Sequence, residues 1–415
     1  MNKNSKQLSH KPVGVYRISR KKLWIVCGTV LAIFLVLMII AAFFDFQIDY
    51  LLAKNSLPTP ATNRMGVGAV YTTNVFAMVV EIIGTGPCIL ATVFALVIFH
   101  QNAYKIKSVG WKRTVQIGTI AVAVMWVIYA CFFQFFPLMV VSLIGVQKYG
   151  DISPLLGTGW VNHATTMWLY LILGAIMGGL IVTPTYLIVS RINKQTTGEL
   201  LRWAFIVTSA GVIAILLVEI AIKPTFQRER FRFLYAYGNI TGINDIPTWS
   251  VVLSNGKWVA DPNGVYGLSM QTGALDQYGG FHPWYALPIT PYGYGSAGNL
   301  PFISEDASKS FPSGHETMAS VGFYSLILLP FTVKQCNTKT WRISCFTTAI
   351  CGCVLVALGR MIAGAHYLSD VTVGNFLAMA LLFIFYVLYC FHAPHLNEWT
   401  GLKLQGKFMN KGKRA

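Results

Sequence analysis

The chain has 415 residues, of which 54% are hydrophobic and only 11% are charged. Soluble domains carry about 25% charged residues, so this composition excludes an ordinary soluble enzyme and indicates an integral membrane protein. The net charge of +17 does not indicate nucleic-acid binding, because the basic residues are concentrated in alternate loops between apolar runs, where they act as topology signals.

Apolar runs long enough to cross a bilayer as helices recur along the whole chain. We predict about eight transmembrane helices, at approximately 23–46, 74–100, 114–146, 164–190, 201–222, 315–333, 343–359 and 367–392. The first run is longer than the core of a signal peptide, and no small-residue cleavage site follows it, so we expect it to be retained. The predicted fold class is an all-α integral membrane protein.

The distribution of basic residues predicts the orientation of these helices. Of the 32 Lys and Arg residues, 22 lie before residue 23, at 101–113, 191–202 and 334–342, and after 392. Because basic loops stay in the cytoplasm, we expect both termini to be cytoplasmic. The loops then predicted to face outward are 47–73, 147–163, 223–311 and 360–366.

The longest polar segment, 223–311, is predicted to form a compact extracytoplasmic cap on the membrane surface. It is rich in glycine and aromatic residues, as in YALPITPYGYGSAGN, and Trp and Tyr suit the membrane interface. A variable surface insertion is the alternative. We expect a structural role for His282, its only histidine. None of the eight cysteines lies in this segment, so no disulfide framework is expected there.

The stretch FPSGHETMAS, residues 311–320, stands at the start of an apolar run. Ser313 and Glu316 fit a capping box, in which the two side chains satisfy free N–H groups of a helix N-terminus. A helix N-terminus also binds anions, Gly314 lets a ligand approach the backbone, and His315 lies beside that position. This stretch alone leaves both interpretations open, because they use some of the same N–H donors.

A second set of polar residues lies in GRMIAGAHYLSD, at the end of the seventh predicted helix. His366 and Asp370 are four residues apart, so on a helix they share one face. The carboxylate can then fix the imidazole tautomer and leave the other nitrogen free to attack. The alternative for this pair is a polar helix start in the headgroup region. Arg360 carries a forked charge that suits phosphate oxygens.

Two further cations, Lys223 and Arg230, follow the fifth predicted helix on the same side of the membrane. Cations, a helix N-terminus and two histidines at one membrane face suit phosphoryl transfer, in which positioning and charge neutralisation dominate. Metal catalysis is not favoured, because the outer acids are scattered and no spaced histidine ligands accompany them.

These residues resemble, in type and order, the three signature motifs of the type-2 phosphatidic-acid phosphatase superfamily. The motifs are Lys223-x6-Arg230, Pro312-Ser313-Gly314-His315 and Arg360-x5-His366-x3-Asp370. The resemblance implies a phosphatase helical-bundle core that needs no cofactor and no metal. It implies that His366 is the nucleophile that forms a phosphohistidine, that Asp370 orients it, and that His315 is the acid and base. The implied phosphate-binding residues are Lys223, Arg230, Ser313, Gly314 and Arg360.

With the motifs placed, the predicted division of the chain has five parts. These are a cytoplasmic tail at 1–22, helices 1–5 at 23–222, the cap with the first motif at 223–311, helices 6–8 with the other motifs at 312–392, and a basic cytoplasmic tail at 393–415. The segment VVEIIGTGP in the second run is similar to one in bacterial members. Phe231 stands where the family usually has proline, and Gly359 stands where serine is usual.

The leading functional prediction is a membrane phosphatase that hydrolyses a phosphate monoester or diphosphate at the outer leaflet. Its partners would be membrane lipids and a substrate such as phosphatidate, phosphatidylglycerophosphate or polyprenyl diphosphate. The alternatives are a phosphotransferase with a lipid or sugar hydroxyl as acceptor, a vanadate-binding haloperoxidase, and a non-catalytic lipid-phosphate binder or transporter. The sequence leaves the substrate, a soluble sugar phosphate included, and the oligomeric state undefined.

Overall fold

The structure, a computed structural model, describes most of the helical part of the chain. The described residues are 20–57, 72, 74–131, 164–226, 228, 230–232, 235, 242–243, 252–254, 257–259, 269–271, 283–286 and 309–389. Nearly all of the predicted tails and most of the predicted cap, including His282, lie outside this set.

Helices account for most of the described residues. Those of nine or more residues are α1 (Arg20–Ala53), α2 (Val75–Ile83), α3 (Gly86–Asn102), α4 (Val109–Ala130), α5 (Ala164–Arg191), α6 (Lys194–Ile215), α7 (Gly314–Thr332), α8 (Lys339–Ile362) and α9 (Leu368–Val387). Beyond its last residue, α6 continues as a π-helical segment, Leu216–Ile222, and one further α-helical turn, Lys223–Phe226. Several helices begin at a side-chain cap, as at Ser108, Asn193 and Thr338, which satisfies N–H groups at the helix start.

Within the described residues, seven helical segments are long and apolar enough to cross a membrane. In this count α2 and α3 form one segment, Val75–Lys105, and α6 with its extension forms another, Thr196–Phe226. The prediction of an all-α, multi-pass membrane protein is thus confirmed. The sixth predicted helix is present as α7, but α7 is not among the seven apolar segments.

The position of α7 in the bundle explains its mixed composition. It packs against α3, α6, α8 and α9, and 11 of its 19 residues are buried, so it contacts protein on most sides and need not be uniformly apolar. Small residues allow this close packing. A Cβ on Gly322 would collide with the backbone at Pro87, at the start of α3. Cys88, Ala210 and Val321 belong to the apolar cluster at the same junction.

The bundle has two chemically different ends. At one end, the Asn102 side-chain amide donates to the Thr197 carbonyl over 3.1 Å, and the Lys334 backbone N–H donates to Glu199 over 2.8 Å. These bonds join the loops at 101–113, 191–202 and 334–342, which are three of the five basic segments. We call this the basic end. The opposite ends of α6, α7 and α8 carry the residues of the three motifs and form what we call the motif end.

Part of the predicted cap is structured and contains strands. A three-stranded antiparallel sheet has the order β1 (Val252–Ser254), β2 (Lys257–Val259) and β3 (Ser269–Gln271). Val259 lies opposite Val252 on one side and Ser269 on the other. A short turn, Trp284–Ala286, contacts α1, where the indole N–H of Trp284 donates to the Met38 carbonyl over 3.1 Å. The all-α bundle therefore carries a small β element that hydropathy did not predict.

Candidate active site

The structure brings the eight predicted site residues together at the motif end. Lys223 lies in the last turn of the α6 extension, Arg360 near the end of α8, and His366 in the loop between α8 and α9. The three side chains are buried, with exposed fractions of 6%, 1% and 1%. Arg230 is equally buried and, with Arg360 and Lys223, is one of the charges that act on His366. The motifs thus converge although they are far apart in sequence.

The start of α7 is packed against the cationic end of α6. Ser313 is the N-cap residue, and its hydroxyl accepts a hydrogen bond from the Glu316 N–H over 3.2 Å. An added Cβ on Gly314 would lie 2.9 Å from Lys223 Nζ and would also collide with the Glu219 carboxylate. A larger residue there would displace the Lys223–Glu219 ion pair, which is 2.7 Å long and lies directly against the helix start.

The predicted capping box forms only on one side. Glu316 does not reach back to the N-cap; its Oε1 instead accepts from the Ser320 hydroxyl over 3.0 Å and from the Asn375 amide over 2.8 Å. The Ser313 backbone N–H donates to the Asp370 carbonyl over 3.1 Å. The second motif is therefore tied to α9 by its backbone, and Glu316 points into the bundle.

His366 is held by a group that the sequence did not predict. Its Nδ1 lies 2.6 Å from the carbonyl oxygen of Ser310, whereas the nearest Asp370 oxygen is 3.8 Å away, which is too long for a hydrogen bond. The expectation that the pair shares a helix face was wrong, because α9 begins at Leu368 and His366 precedes it. A carbonyl only accepts, so Nδ1 carries the proton and Nε2 keeps its lone pair.

The electrostatic environment favours a neutral His366. Burial lowers the pKa of His366 well below its usual value of 6.5, and the charges of Arg360, Arg230 and Lys223 lower it further. A neutral imidazole with a free Nε2 lone pair is the form that can attack an electrophile. His315 is a second imidazole near these cations; the residue is partly buried, and its buried Nε2 has no hydrogen-bond partner among the described residues.

An acid from α2 neutralises part of this positive charge. Glu81 Oε1 lies 3.0 Å from Arg360 Nη1 and 3.1 Å from Arg232 Nη1. A Cβ on Gly359 would lie 2.6 Å from the Val80 side chain, so a serine at position 359 would push α2 away. The departure from the family pattern at Gly359 thus allows the close packing that delivers Glu81 to Arg360.

A further acid, Asp45 of α1, is connected to the site through Arg228, an arginine that is not part of the three motifs. Arg228 is fully buried and forms ion pairs with Asp45 at 2.8 Å and with Asp370 at 2.6 Å. The sequence analysis assigned no role to Asp45, Glu81, Arg228 or Ser310. Acids inside apolar runs were the available signal for the first two, because ionisable residues within a membrane need a partner.

Among the residues that the structure describes, no group of three or more His, Cys, Asp or Glu side chains could hold a metal ion. The family comparison gives a match over residues 199–393, to the PAP2 superfamily. This region contains most of α6, all of α7 to α9 and all eight predicted site residues, whereas Asp45 and Glu81 lie outside it. No solved structure matches the chain.

Proposed function

This protein belongs to the PAP2 superfamily, which its residues 199–393 match, and members of this superfamily are generally phosphatases that act on phosphate esters. We therefore propose that it is an integral membrane phosphatase that hydrolyses a lipid phosphate or diphosphate through a phosphohistidine on His366. The observation that carries the proposal is the buried imidazole whose Nδ1 is bonded to the Ser310 carbonyl and whose Nε2 is left for attack, beside three cations.

In the first step, His366 Nε2 attacks the phosphorus atom and the bond from phosphorus to the leaving oxygen breaks. His315 donates a proton to that oxygen, and the negative charge of the bound phosphate favours the protonated form of His315 in the complex. In the second step, water attacks the phosphohistidine, His315 accepts a proton from the water, and the P–N bond breaks. Inorganic phosphate is released and the free His366 imidazole is regenerated, so the two steps require water as the only second reactant and involve no redox change.

The phosphate-binding groups act mainly through charge. Lys223, Arg230 and Arg360 surround the position of the transferred group, where negative charge is spread over three oxygens in the transition state. The start of α7 at Ser313 and Gly314 adds N–H donors from a helix N-terminus. Fixed donors of this kind in a site that excludes water often contribute several kcal/mol to transition-state stabilisation.

The location of the site on apolar helices supports a lipid substrate. Glu81 lies six residues after Val75, the first residue of the membrane-spanning segment Val75–Lys105, which is about 9 Å along a helix. Arg360, which contacts Glu81, also belongs to such a segment, Lys339–Ile362, so both side chains lie on helices apolar enough to cross a membrane, which favours a substrate that enters from the bilayer. Substrates of this class include phosphatidate, phosphatidylglycerophosphate and polyprenyl diphosphates. We propose that the motif end faces away from the cytoplasm, since the basic end gathers three of the five basic segments.

The test is a panel of these lipids with the purified enzyme, scored by release of inorganic phosphate with and without EDTA. We expect phosphate release that EDTA does not abolish, and acid-labile phosphate trapped on the protein. The His366→Ala variant should insert normally into the membrane but should neither release phosphate nor trap acid-labile phosphate. Normal turnover by this variant would exclude the phosphohistidine route. Transfer of the phosphoryl group to an added alcohol without phosphate release would identify a phosphotransferase.

A further inference from the structure

Arg228 links two acids that come from opposite ends of the sequence. Its Nη1 donates to Asp370 Oδ1 and to the Ser369 hydroxyl, each over 2.6 Å, and its Nη2 donates to Asp45 Oδ2 over 2.8 Å. The guanidinium also lies over the Tyr367 ring, 4.0 Å from its centroid. Arg228, Asp45 and Asp370 are at most 1% exposed, so water does not screen these interactions.

Asp45 also holds the N-terminus of α9 directly. Its Oδ1 accepts from the Ser369 backbone N–H over 3.0 Å, and its Oδ2 accepts from the Ser369 hydroxyl. A carboxylate at this place satisfies a free N–H group and is favoured by the helix dipole. Phe231 reinforces the junction, because its ring packs on Phe46 of α1 with the centroids 5.4 Å apart. The C-terminal half of α1 is therefore packed against the third motif.

Two connections lead from Arg228 to the group that holds His366. Through its side chain, Arg228 fixes Asp370, whose Oδ2 accepts from the Ser310 hydroxyl. Through its backbone, the Arg228 carbonyl accepts from the Ser310 N–H over 2.9 Å. Both connections meet at Ser310, whose carbonyl accepts from His366 Nδ1 over 2.6 Å. The position of that carbonyl sets both the tautomer of His366 and the direction of Nε2.

We propose that Asp45 and Arg228 are positioning residues for the nucleophile, and that α1 is a functional part of the active site. This inference rests on the proposed function. Asp45 fixes Arg228 and the start of α9, these fix Ser310 through Asp370, and Ser310 aims His366. Asp45 lies outside the family-matched region, residues 199–393, so the arrangement is a contribution of this chain's own first helix.

A stabilising role alone does not account for the arrangement. Buried ion pairs contribute little net stability compared with well-packed apolar residues, because desolvation offsets the attraction. In some proteins such pairs instead fix one particular arrangement of polar groups, and we infer that use here. Alignment of a nucleophile needs such a device, since a displacement of about 1 Å costs about a hundredfold in rate. The network reaches His366 at Nδ1, through the Ser310 carbonyl, whereas the cations Lys223, Arg230 and Arg360 act on the imidazole through their charge.

The principal test is Asp45→Asn in the full-length enzyme. The amide keeps the shape of the side chain but removes the charge that holds Arg228. We expect kcat to fall by about ten- to a hundredfold, with the rate of phosphohistidine formation in a single turnover falling equally. KM and the inhibition constant for inorganic phosphate should change by less than about threefold, because the phosphate-binding cations are untouched. Asp45→Glu, which retains the charge, should recover part of kcat.

Glu199→Gln is the matched control. Glu199 is also a buried acid, at 3% exposed, but it lies at the basic end and accepts from the Lys334 N–H. This variant should keep kcat within about twofold of the wild type. If Asp45→Asn is not recovered in a folded state, Ser369→Ala replaces it, since that change removes only the hydroxyl that accepts from Arg228 and donates to Asp45. The loss of these two hydrogen bonds should lower kcat by about three- to tenfold, less than Asp45→Asn, because the ion pair between Asp45 and Arg228 remains.

Two results would overturn the inference. One is a folded Asp45→Asn or Ser369→Ala enzyme with unchanged kcat. The other is a parallel loss of kcat and of phosphate binding, which indicates general disruption and not misalignment of His366. Failure of the proposed function is recognised separately, because it requires that the wild-type enzyme forms no phosphohistidine and that His366→Ala retains turnover.

Discussion

Replacing Glu81 with glutamine is expected to tighten phosphate binding and to slow product release. The Glu81 carboxylate contacts Arg360 at 3.0 Å and Arg232 at 3.1 Å, and all three side chains are buried. If Arg360 binds phosphate, the substrate shares one guanidinium with a fixed carboxylate. Glutamine keeps the size of the side chain but removes the negative charge, so the phosphate no longer competes with a second anion.

The size of the effect follows from the charges involved. Two unit charges about 6 Å apart at an effective dielectric constant of about 20 interact by about 3 kcal/mol. Part of this gain is offset, because Arg360 also loses the carboxylate that orients it. We therefore expect a net gain of about 1.4–2.8 kcal/mol in phosphate binding, which corresponds to a ten- to hundredfold lower inhibition constant. The value of kcat should fall, because product leaves more slowly.

The assay measures product inhibition by inorganic phosphate, together with kcat, at constant ionic strength. Glu219→Gln is the control, because Glu219 forms an ion pair of similar length with Lys223, at 2.7 Å, but its side chain is 46% exposed. Solvent screening limits exposed pairs to about 0–1 kcal/mol, so this control should show a much smaller change. Weaker phosphate inhibition in Glu81→Gln would refute the reasoning and would show that Glu81 serves to orient Arg360.

Two further predictions concern the same site, and a third concerns the orientation of the protein in the membrane. Arg360→Lys should lower kcat/KM by about tenfold or more, because a point charge cannot contact phosphate and Glu81 as a planar fork does; unchanged kcat/KM would contradict this. Since the pKa of His366 lies well below 6.5, its neutral form persists on acidification, and its protonation should cause no fall in kcat/KM as pH decreases through 6.5; a fall with its midpoint above 6.5 would be inconsistent. With native cysteines replaced, Asn55→Cys should react with an impermeant thiol reagent in intact cells and Lys107→Cys only after permeabilisation; the reverse pattern would place the site in the cytoplasm.

The helical fold could be predicted from the sequence because its determinants are local. The length of an apolar run and the charges beside it are sufficient to identify a membrane helix. Helix ends were less accurate, because hydropathy does not record caps. The predicted helix at 343–359 extends over Lys339–Ile362, since Thr338 caps its start and polar residues form its first turn. The small sheet β1–β3 was not predicted, because its three-residue strands are too short to give a pattern.

Only those residues of the candidate site that belong to a recognisable motif could be predicted from the sequence. His315, His366 and Arg360 were found by residue type and spacing, and the structure places them together. The direct contact expected between Asp370 and His366 was not found, because the contact of His366 with Ser310 depends on a turn whose geometry the sequence does not specify. Asp45 was missed for a related reason, since its bond to Ser369 joins residues 324 positions apart.

The acids that the sequence analysis missed address two different problems of a strongly cationic site. Cations that bind substrate, transition state and product equally do not accelerate the reaction, and they delay release of phosphate. In the proposed mechanism, Glu81 balances the charges of Arg360 and Arg232 and so limits the affinity for phosphate. Asp45 forms an ion pair with Arg228 and so, in the same proposal, fixes the direction of the nucleophile. One acid therefore acts on binding and the other on alignment, which is why the variants Glu81→Gln and Asp45→Asn are expected to change the inhibition constant and kcat in different proportions.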